Sequence, residues 1–148
     1  MMQKLIEEIR LELKELSIIV NDVESLLENT KNILPTNVHK TALGGFASQF
    51  YSGIENILKR IHKYYNAELP KGNNWHINLL DRFTGQNNFF NITFSAELIE
   101  KLHIYRRFRH YFFHGYSHNL NWEILTNGVK DIRYIFEQFE NELYNQIK

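Results

Sequence analysis

The chain has 148 residues with 17 basic and 17 acidic side chains, so its zero net charge predicts no particular partner. It has no cysteine, which excludes disulfides, thiol catalysis and cysteine-based zinc sites. Its length and its 43% hydrophobic content predict one domain over residues 1–148 with a buried core. No apolar run approaches the roughly 20 residues of a membrane span, and the acidic N-terminus is unlike a signal peptide. We therefore expect a cytoplasmic protein without a membrane segment.

The first half of the chain predicts two long amphipathic helices. Hydrophobic residues recur every three or four positions over residues 3–31 and again over 36–67, the spacing of one helix face. Thr36 or Asn37 can cap the second helix. The glycine pair at 44–45 lies inside it and predicts a close approach by another helix, since each glycine otherwise costs about 1 kcal/mol.

The second half predicts a short helix followed by two long ones. The short helix is WHINLLDRF at 75–83, and the segment 85–94 is predicted to be irregular or extended. Ser95 can cap the next helix, and Gly115 suits a left-handed residue at its end. The last helix is predicted from about Asn121 to the C-terminus. These elements predict an all-α fold, an up-and-down bundle of four long helices plus one short helix.

Basic and histidine side chains are concentrated late in the chain. Residues 101–122 contain four lysines or arginines, four histidines and no acidic residue. Such a positive segment favours an anionic partner such as phosphate or nucleic acid. The histidines other than those at 110, 114 and 118 are predicted to have surface or capping roles: His39, His62, His76 and His103.

Arg109 shares one helix face with apolar side chains that are spaced for burial, including Leu102 and Tyr105. An unpaired buried guanidinium is costly, so its position needs an explanation. In one interpretation Arg109 is structural and pairs with a carboxylate, for which Glu55 of the second helix is a candidate. In the other, a dry interface holds it ready to meet a phosphate. The spacing alone leaves both open.

His110 and His114 lie one helical turn apart, which suits either a metal pair or acid–base chemistry near neutral pH. Metal is the weaker interpretation, because the segment has no carboxylate and no HExxH pattern, and we predict no metal or cofactor. An ideal helix directs Arg109 and His114 about 140° apart. They act together only if the helix turns at its end, or if a second chain of a two-fold dimer contributes.

Arg109, His114 and Tyr116 stand in the order Arg-x4-His-x-Tyr, which resembles the signature of the HepT toxins in the HEPN superfamily. These are small all-α ribonucleases paired with MNT nucleotidyltransferase antitoxins. His110 fits the polar position after the arginine in that pattern. Three longer segments also resemble HepT-like proteins: FYSGIENILKRI at 50–61, NWHINLLDRF at 74–83 and YRRFRHYFFHGYSHNLNWE at 105–123.

The resemblance implies a metal-independent endoribonuclease toxin. His114 would be the acid–base residue, Arg109 would bind the scissile phosphate and stabilise its developing charge, and His110 would assist. The residues expected to bind flanking RNA are Arg106, Arg107 and Tyr111.

The resemblance also implies how the toxin is regulated. An MNT-type nucleotidyltransferase antitoxin would attach AMP to Tyr116, and a bulky anion two residues from His114 would block RNA entry. A homodimer with the active site at its interface is expected. Phe113 stands where some relatives carry an arginine, and the loss of that positive charge would lower RNA affinity. The alternative function is a non-catalytic HEPN-like partner of a nucleotidyltransferase that binds nucleotide or RNA.

Overall fold

The computed structural model describes residues 2–85 and 88–147, and within these ranges the ordered elements are helices without any β-strand. The prediction of irregular chain at positions 86 and 87 lies outside the described residues. Among those described, no helix combines the length and the apolar composition that a membrane span requires. The α-helices are α1 Met2–Asn29, α2 Asn37–Tyr64, α3 Trp75–Asp81, α4 Ala96–His114, α5 Trp122–Val129 and α6 Ile132–Ile147. The all-α class and the four long helices are confirmed.

Three of the helices begin at the residues that the sequence predicted. The Thr36 hydroxyl accepts from the His39 backbone N–H, and the His39 ring nitrogen Nδ1 accepts from the Thr36 backbone N–H at 3.0 Å. This reciprocal pair is a capping box, so His39 has the capping role predicted for it. Ser95 and Asn121 likewise cap α4 and α5, each accepting a backbone N–H three residues later.

The helix α2 lies between α1 and α4 and packs against both. Glycines on α2 allow these close contacts. A Cβ atom at Gly53 would lie 2.4 Å from Leu16 of α1, and one at Gly44 would lie 2.8 Å from Phe112 of α4 and 3.0 Å from Leu120. The close approach predicted for the glycine pair at 44–45 is therefore present at Gly44.

Two boundary predictions for the end of the chain were wrong. The last helix is divided into α5 and α6 by a turn at residues 130–131. Val129 and Ile132 are three positions apart and both are buried, so the apolar spacing continues across this turn. Periodicity therefore does not reveal the turn. Gly115 is extended, with φ −133° and ψ −177°, because the chain continues into extended Tyr116 and needs no left-handed residue.

His62 is buried, so its predicted surface or capping role was wrong. Its Nδ1 donates to the Leu58 carbonyl at 2.8 Å, and its ring meets those of Phe83 and Phe90 edge-on. Burial lowers the pKa of His62, and the nearby charge of Arg82 adds to that effect, while the hydrogen bond to the carbonyl opposes it. The imidazole is thus an aromatic core side chain that is kept neutral.

Candidate functional site

Three helices line an open pocket of about 370 Å³, and one of them, α4, carries much of the positive segment at 101–122. Its lining carries three permanently charged cations and one carboxylate, a balance that attracts an anion. The lining residues are Ser52, Glu55 and Lys59 of α2, Trp75 and His76 of α3, and Arg106, Arg109, His110, Phe113 and His114 of α4.

Arg109 and Glu55 form a two-pronged ion pair in the wall of this pocket. The guanidinium nitrogens Nη1 and Nη2 lie 3.2 and 3.0 Å from the two carboxylate oxygens, and only 14% of the arginine and 5% of the glutamate side chain is exposed. Nη1 also approaches the Ser52 hydroxyl at 3.4 Å, and the guanidinium lies 5.0 Å from the Tyr51 ring centre. The carboxylate partner considered from the sequence is therefore present.

Glu55 is ionised in this setting despite its burial. Desolvation raises the pKa of Glu55, but hydrogen bonds from Arg109 and His76, together with the charges of Arg109 and Lys59, outweigh it and hold the pKa below its usual value. The Lys59 ammonium lies 3.5 Å from the carboxylate. Because Arg109 and Glu55 cancel each other, the remaining positive charge of the pocket comes from Lys59 and Arg106.

His76, for which a surface or capping role was predicted, lines the pocket and is partly exposed. Its Nδ1 lies 3.1 Å from a Glu55 oxygen and 2.8 Å from Arg109 Nη2, and 39% of its side chain remains exposed. The neighbouring Trp75 ring lies against it at a tilt of 34°, with centroids 3.4 Å apart, and the Lys59 ammonium lies 4.9 Å from the indole. The segment NWHINLLDRF, which resembles HepT-like proteins, includes His76, but no spacing or motif within it distinguishes this histidine.

His110 and His114 lie beside each other on the last turns of α4, with ring centroids 4.4 Å apart. Both line the pocket together with Arg109, although an ideal helix directs Arg109 to a different side from the two histidines. Arg109 is long enough to reach across to α2, so a single chain brings all three to one cavity. Within residues 2–85 and 88–147, no group of three or more histidines and carboxylates is arranged to hold a metal ion.

A chain of hydrogen bonds orients Arg106, the other arginine of the pocket. Its Nε donates to His103 Nδ1 at 2.9 Å, and His103 Nε2 lies 2.7 Å from an Asp81 oxygen. Since Nδ1 accepts, the proton of neutral His103 is on Nε2, which donates to Asp81. His103, for which a surface or capping role was predicted, is therefore a partly exposed link in this chain. Burial lowers the pKa of Arg106, and the charges of Arg107 and Arg109 add to this effect.

Of the other predicted site residues, only Phe113 lines the pocket. Arg107 and Tyr111 are exposed and outside the lining, whereas Phe113 is both exposed and part of the lining. Tyr116 follows α4 with 74% of its surface exposed, and its ring stacks on that of His118 at 5.7 Å.

A family model described as "HepT-like protein" matches residues 42–148, well over half of the chain. The chain belongs to the HepT-like family. No curated protein and no solved structure matches it at a significant level. The matched region includes every lining residue of the pocket. Membership in the HepT-like family supports a component of a HEPN-type toxin–antitoxin system.

Proposed function

We propose that this HepT-like protein is a metal-independent endoribonuclease toxin that a nucleotidyltransferase antitoxin neutralises by attaching AMP to Tyr116. One observation carries the proposal. Arg109, His110 and His114 line a single positively charged pocket within the region that matches the family. An anion-attracting cavity with two accessible imidazoles has the groups that RNA cleavage without metal requires.

Cleavage of this kind uses the 2′-hydroxyl of the RNA as the nucleophile. A base removes the hydroxyl proton while the 2′-oxygen bonds to phosphorus, and the 5′-oxygen leaves with a proton, giving a 2′,3′-cyclic phosphate and a 5′-hydroxyl. His114 is the proposed acid–base residue, because imidazole exchanges protons near neutral pH. His110, in ring contact with it, would orient His114 or the phosphate.

The pairing of Arg109 changes how it would act on a phosphate. Its two terminal nitrogens already contact Glu55, Ser52 and His76, so a phosphate binds them only by replacing a protein partner. Arg106 is held through its Nε, and no hydrogen bond from its terminal nitrogens is found within residues 2–85 and 88–147. We therefore propose Arg106 as the first phosphate contact, with Arg109 joining as charge develops in the transition state.

The exposed residues outside the pocket have complementary roles in this proposal. Arg107 would hold a flanking phosphate and Tyr111 would stack on an unpaired base. Tyr116 is accessible to a modifying enzyme, and AMP there would place a bulky anion two residues from His114. Apolar side chains exposed near the pocket mouth, among them Phe113, suit a homodimer interface adjoining the site.

The proposal is tested with purified protein and RNA in excess EDTA. We expect cleavage in EDTA, and we expect His114→Ala to slow it about 100-fold or more, the usual contribution of an acid–base group. His118→Ala is the matched control, because His118 is exposed and lies outside the pocket lining. Cleavage that depends on added metal, or that survives His114→Ala, would contradict the proposal.

A second candidate function is non-catalytic binding of RNA or nucleotide as a partner of a nucleotidyltransferase. The observation that favours it is the ion pair with Glu55, which occupies both terminal nitrogens of Arg109. It predicts RNA binding that Arg106→Ala weakens, without any cleaved product after long incubation. The same gel that follows cleavage therefore separates the two candidates.

A further inference from the structure

The nitrogen Nδ1 of His76 faces one hydrogen-bond acceptor and one donor at the same time. The acceptor is a Glu55 oxygen at 3.1 Å, and the donor is Arg109 Nη2 at 2.8 Å. A neutral imidazole carries its proton on either Nδ1 or Nε2. If Nδ1 carries it, Nδ1 donates to Glu55, and if Nε2 carries it, Nδ1 accepts from Arg109. Each tautomer therefore has a partner for Nδ1 without any rotation of the ring.

This arrangement frees the second ring nitrogen for proton transfer. With Nδ1 bonded to Glu55, Nε2 has a lone pair and can take a proton. The imidazolium formed in this way keeps its Nδ1 proton on Glu55 and can give the Nε2 proton away. Among residues 2–85 and 88–147, no hydrogen-bond partner is found for His76 Nε2. The side chain is 39% exposed and lines the pocket, so a substrate can reach it.

The pocket also provides what a second proton-transfer group needs. Cleavage of RNA requires one group to remove the 2′ proton and another to protonate the 5′-oxygen. His114 is on α4, whereas His76 is on α3, so the two imidazoles approach the cavity from different helices. Glu55 and Arg109 are in contact with His76. The other charged and titratable groups of the lining are Lys59, which contacts Glu55, and Arg106, His110 and His114.

We propose that His76 is a second catalytic residue of the ribonuclease, which protonates the leaving 5′-oxygen while His114 accepts the 2′-hydroxyl proton. This proposal rests on the proposed function. In the step, the bond between the 2′-oxygen and phosphorus forms and the bond between phosphorus and the 5′-oxygen breaks. Neutral His114 gains one proton and becomes an imidazolium, the His76 imidazolium loses one and becomes neutral, and exchange with water restores both. Glu55 and Arg109 act on His76 as positioning residues through Nδ1.

The test uses two RNA oligonucleotides that differ at one cleavable linkage. One has the ordinary 5′-oxygen, and the other has a bridging sulfur in its place, which leaves as a thiolate and needs no proton. Wild type should cut both. His76→Ala should cut the ordinary linkage about 100-fold more slowly and the sulfur linkage within a few-fold of wild type. His114→Ala should be slow on both linkages, and His118→Ala should match wild type on both.

A pH profile and a second variant exclude a merely structural role. His76→Gln keeps a polar side chain in the pocket and should repeat the behaviour of His76→Ala, including the rescue by sulfur. On the ordinary linkage, both variants should lack the fall in rate at high pH that reports a group needed in its protonated form. Circular dichroism and urea unfolding check that each variant is folded.

The outcomes are distinguishable. If wild type cuts neither linkage, the proposed function fails and this inference fails with it. If wild type cuts and both His76 variants cut the ordinary linkage as fast as wild type does, His76 is not catalytic and the ribonuclease proposal stands. If both His76 variants are slow on the two linkages alike, the protonation of the leaving group by His76 is overturned.

Discussion

Replacing Glu55 by glutamine tests whether the buried carboxylate holds Arg109 in place. The carboxylate accepts from Arg109 at 3.2 and 3.0 Å and lies near His76 and Lys59, with 5% of its side chain exposed. Glutamine keeps the shape but turns an N–H₂ group toward a donor and removes the charge. Breaking a buried pair from one side costs about 3–5 kcal/mol, and because Arg109 faces an open pocket that admits water, we expect about 3 kcal/mol.

The pH dependence of this loss has a defined sign. The pKa of Glu55 in the folded chain lies below its ordinary value of 4.5, so the carboxylate stabilises the fold fully above that value. As the pH falls through the folded pKa, the carboxylate protonates and wild type loses this contribution. The difference in unfolding free energy between wild type and Glu55→Gln should therefore be largest at pH 7 and should shrink below about pH 4.5.

The assay is urea unfolding followed by circular dichroism at a fixed protein concentration, since self-association would alter the apparent stability. Glu24→Gln is the matched control, because Glu24 forms a comparable ion pair with Arg133 in which both side chains are well exposed. That change should cost less than about 1 kcal/mol. A loss for Glu55→Gln no larger than the control, or one that is equal at pH 7 and pH 3.5, would refute this account of Arg109.

Three further predictions concern packing, a buried imidazole and RNA affinity. Gly53→Ala should cost about 1–3 kcal/mol of unfolding free energy, because its Cβ would lie 2.4 Å from a leucine of α1. Gly45→Ala, whose Cβ has ordinary 3.7 Å contact, should instead gain between about 0.5 and 1 kcal/mol. Because the pKa of His62 is lowered in the folded chain, the unfolded chain binds this proton at a higher pH than the folded chain does. Wild type should therefore lose unfolding free energy as the pH falls below 6.5. Urea titrations at pH 8 and pH 5 should show this loss in wild type and not in His62→Leu. In RNA-binding titrations, Arg106→Ala should reduce affinity more than Arg107→Ala and lower the slope of log affinity against log salt by about 0.7; equal effects of the two would contradict a pocket role for Arg106.

The helices were predictable because their signals are local. Apolar spacing of three and four residues fixes which face of α1, α2 and α4 is buried. The side chains of Thr36, Ser95 and Asn121 satisfy the free N–H groups of the first helical turn, so the starting points could also be read from the sequence. The turn between α5 and α6 could not be predicted from apolar spacing, because the buried residues keep helical spacing on both sides of it.

The composition of the site was less predictable, because it depends on contacts between residues far apart in the chain. His76 meets Arg109, 33 positions away, only because α3 packs against α4. Nothing near His76 distinguishes it from an exposed histidine, just as nothing near His62 shows that Phe83 and Phe90 enclose it. Periodicity identifies which residues are buried, but it does not identify which buried residues contact each other.

The two interpretations of Arg109 that the spacing left open are compatible in this pocket. A guanidinium whose partner is a carboxylate adds little net attraction for an approaching phosphate, so Lys59 and Arg106 provide most of that attraction. The same ion pair fixes the guanidinium within reach of the cavity, and it pins His76 through Nδ1. A phosphate that replaces one partner would then meet an arginine already in position. The guanidinium itself then need not move to stabilise the transition state, although its bond to the displaced partner is lost. Structural pairing of Arg109 is thus compatible with the proposed catalysis.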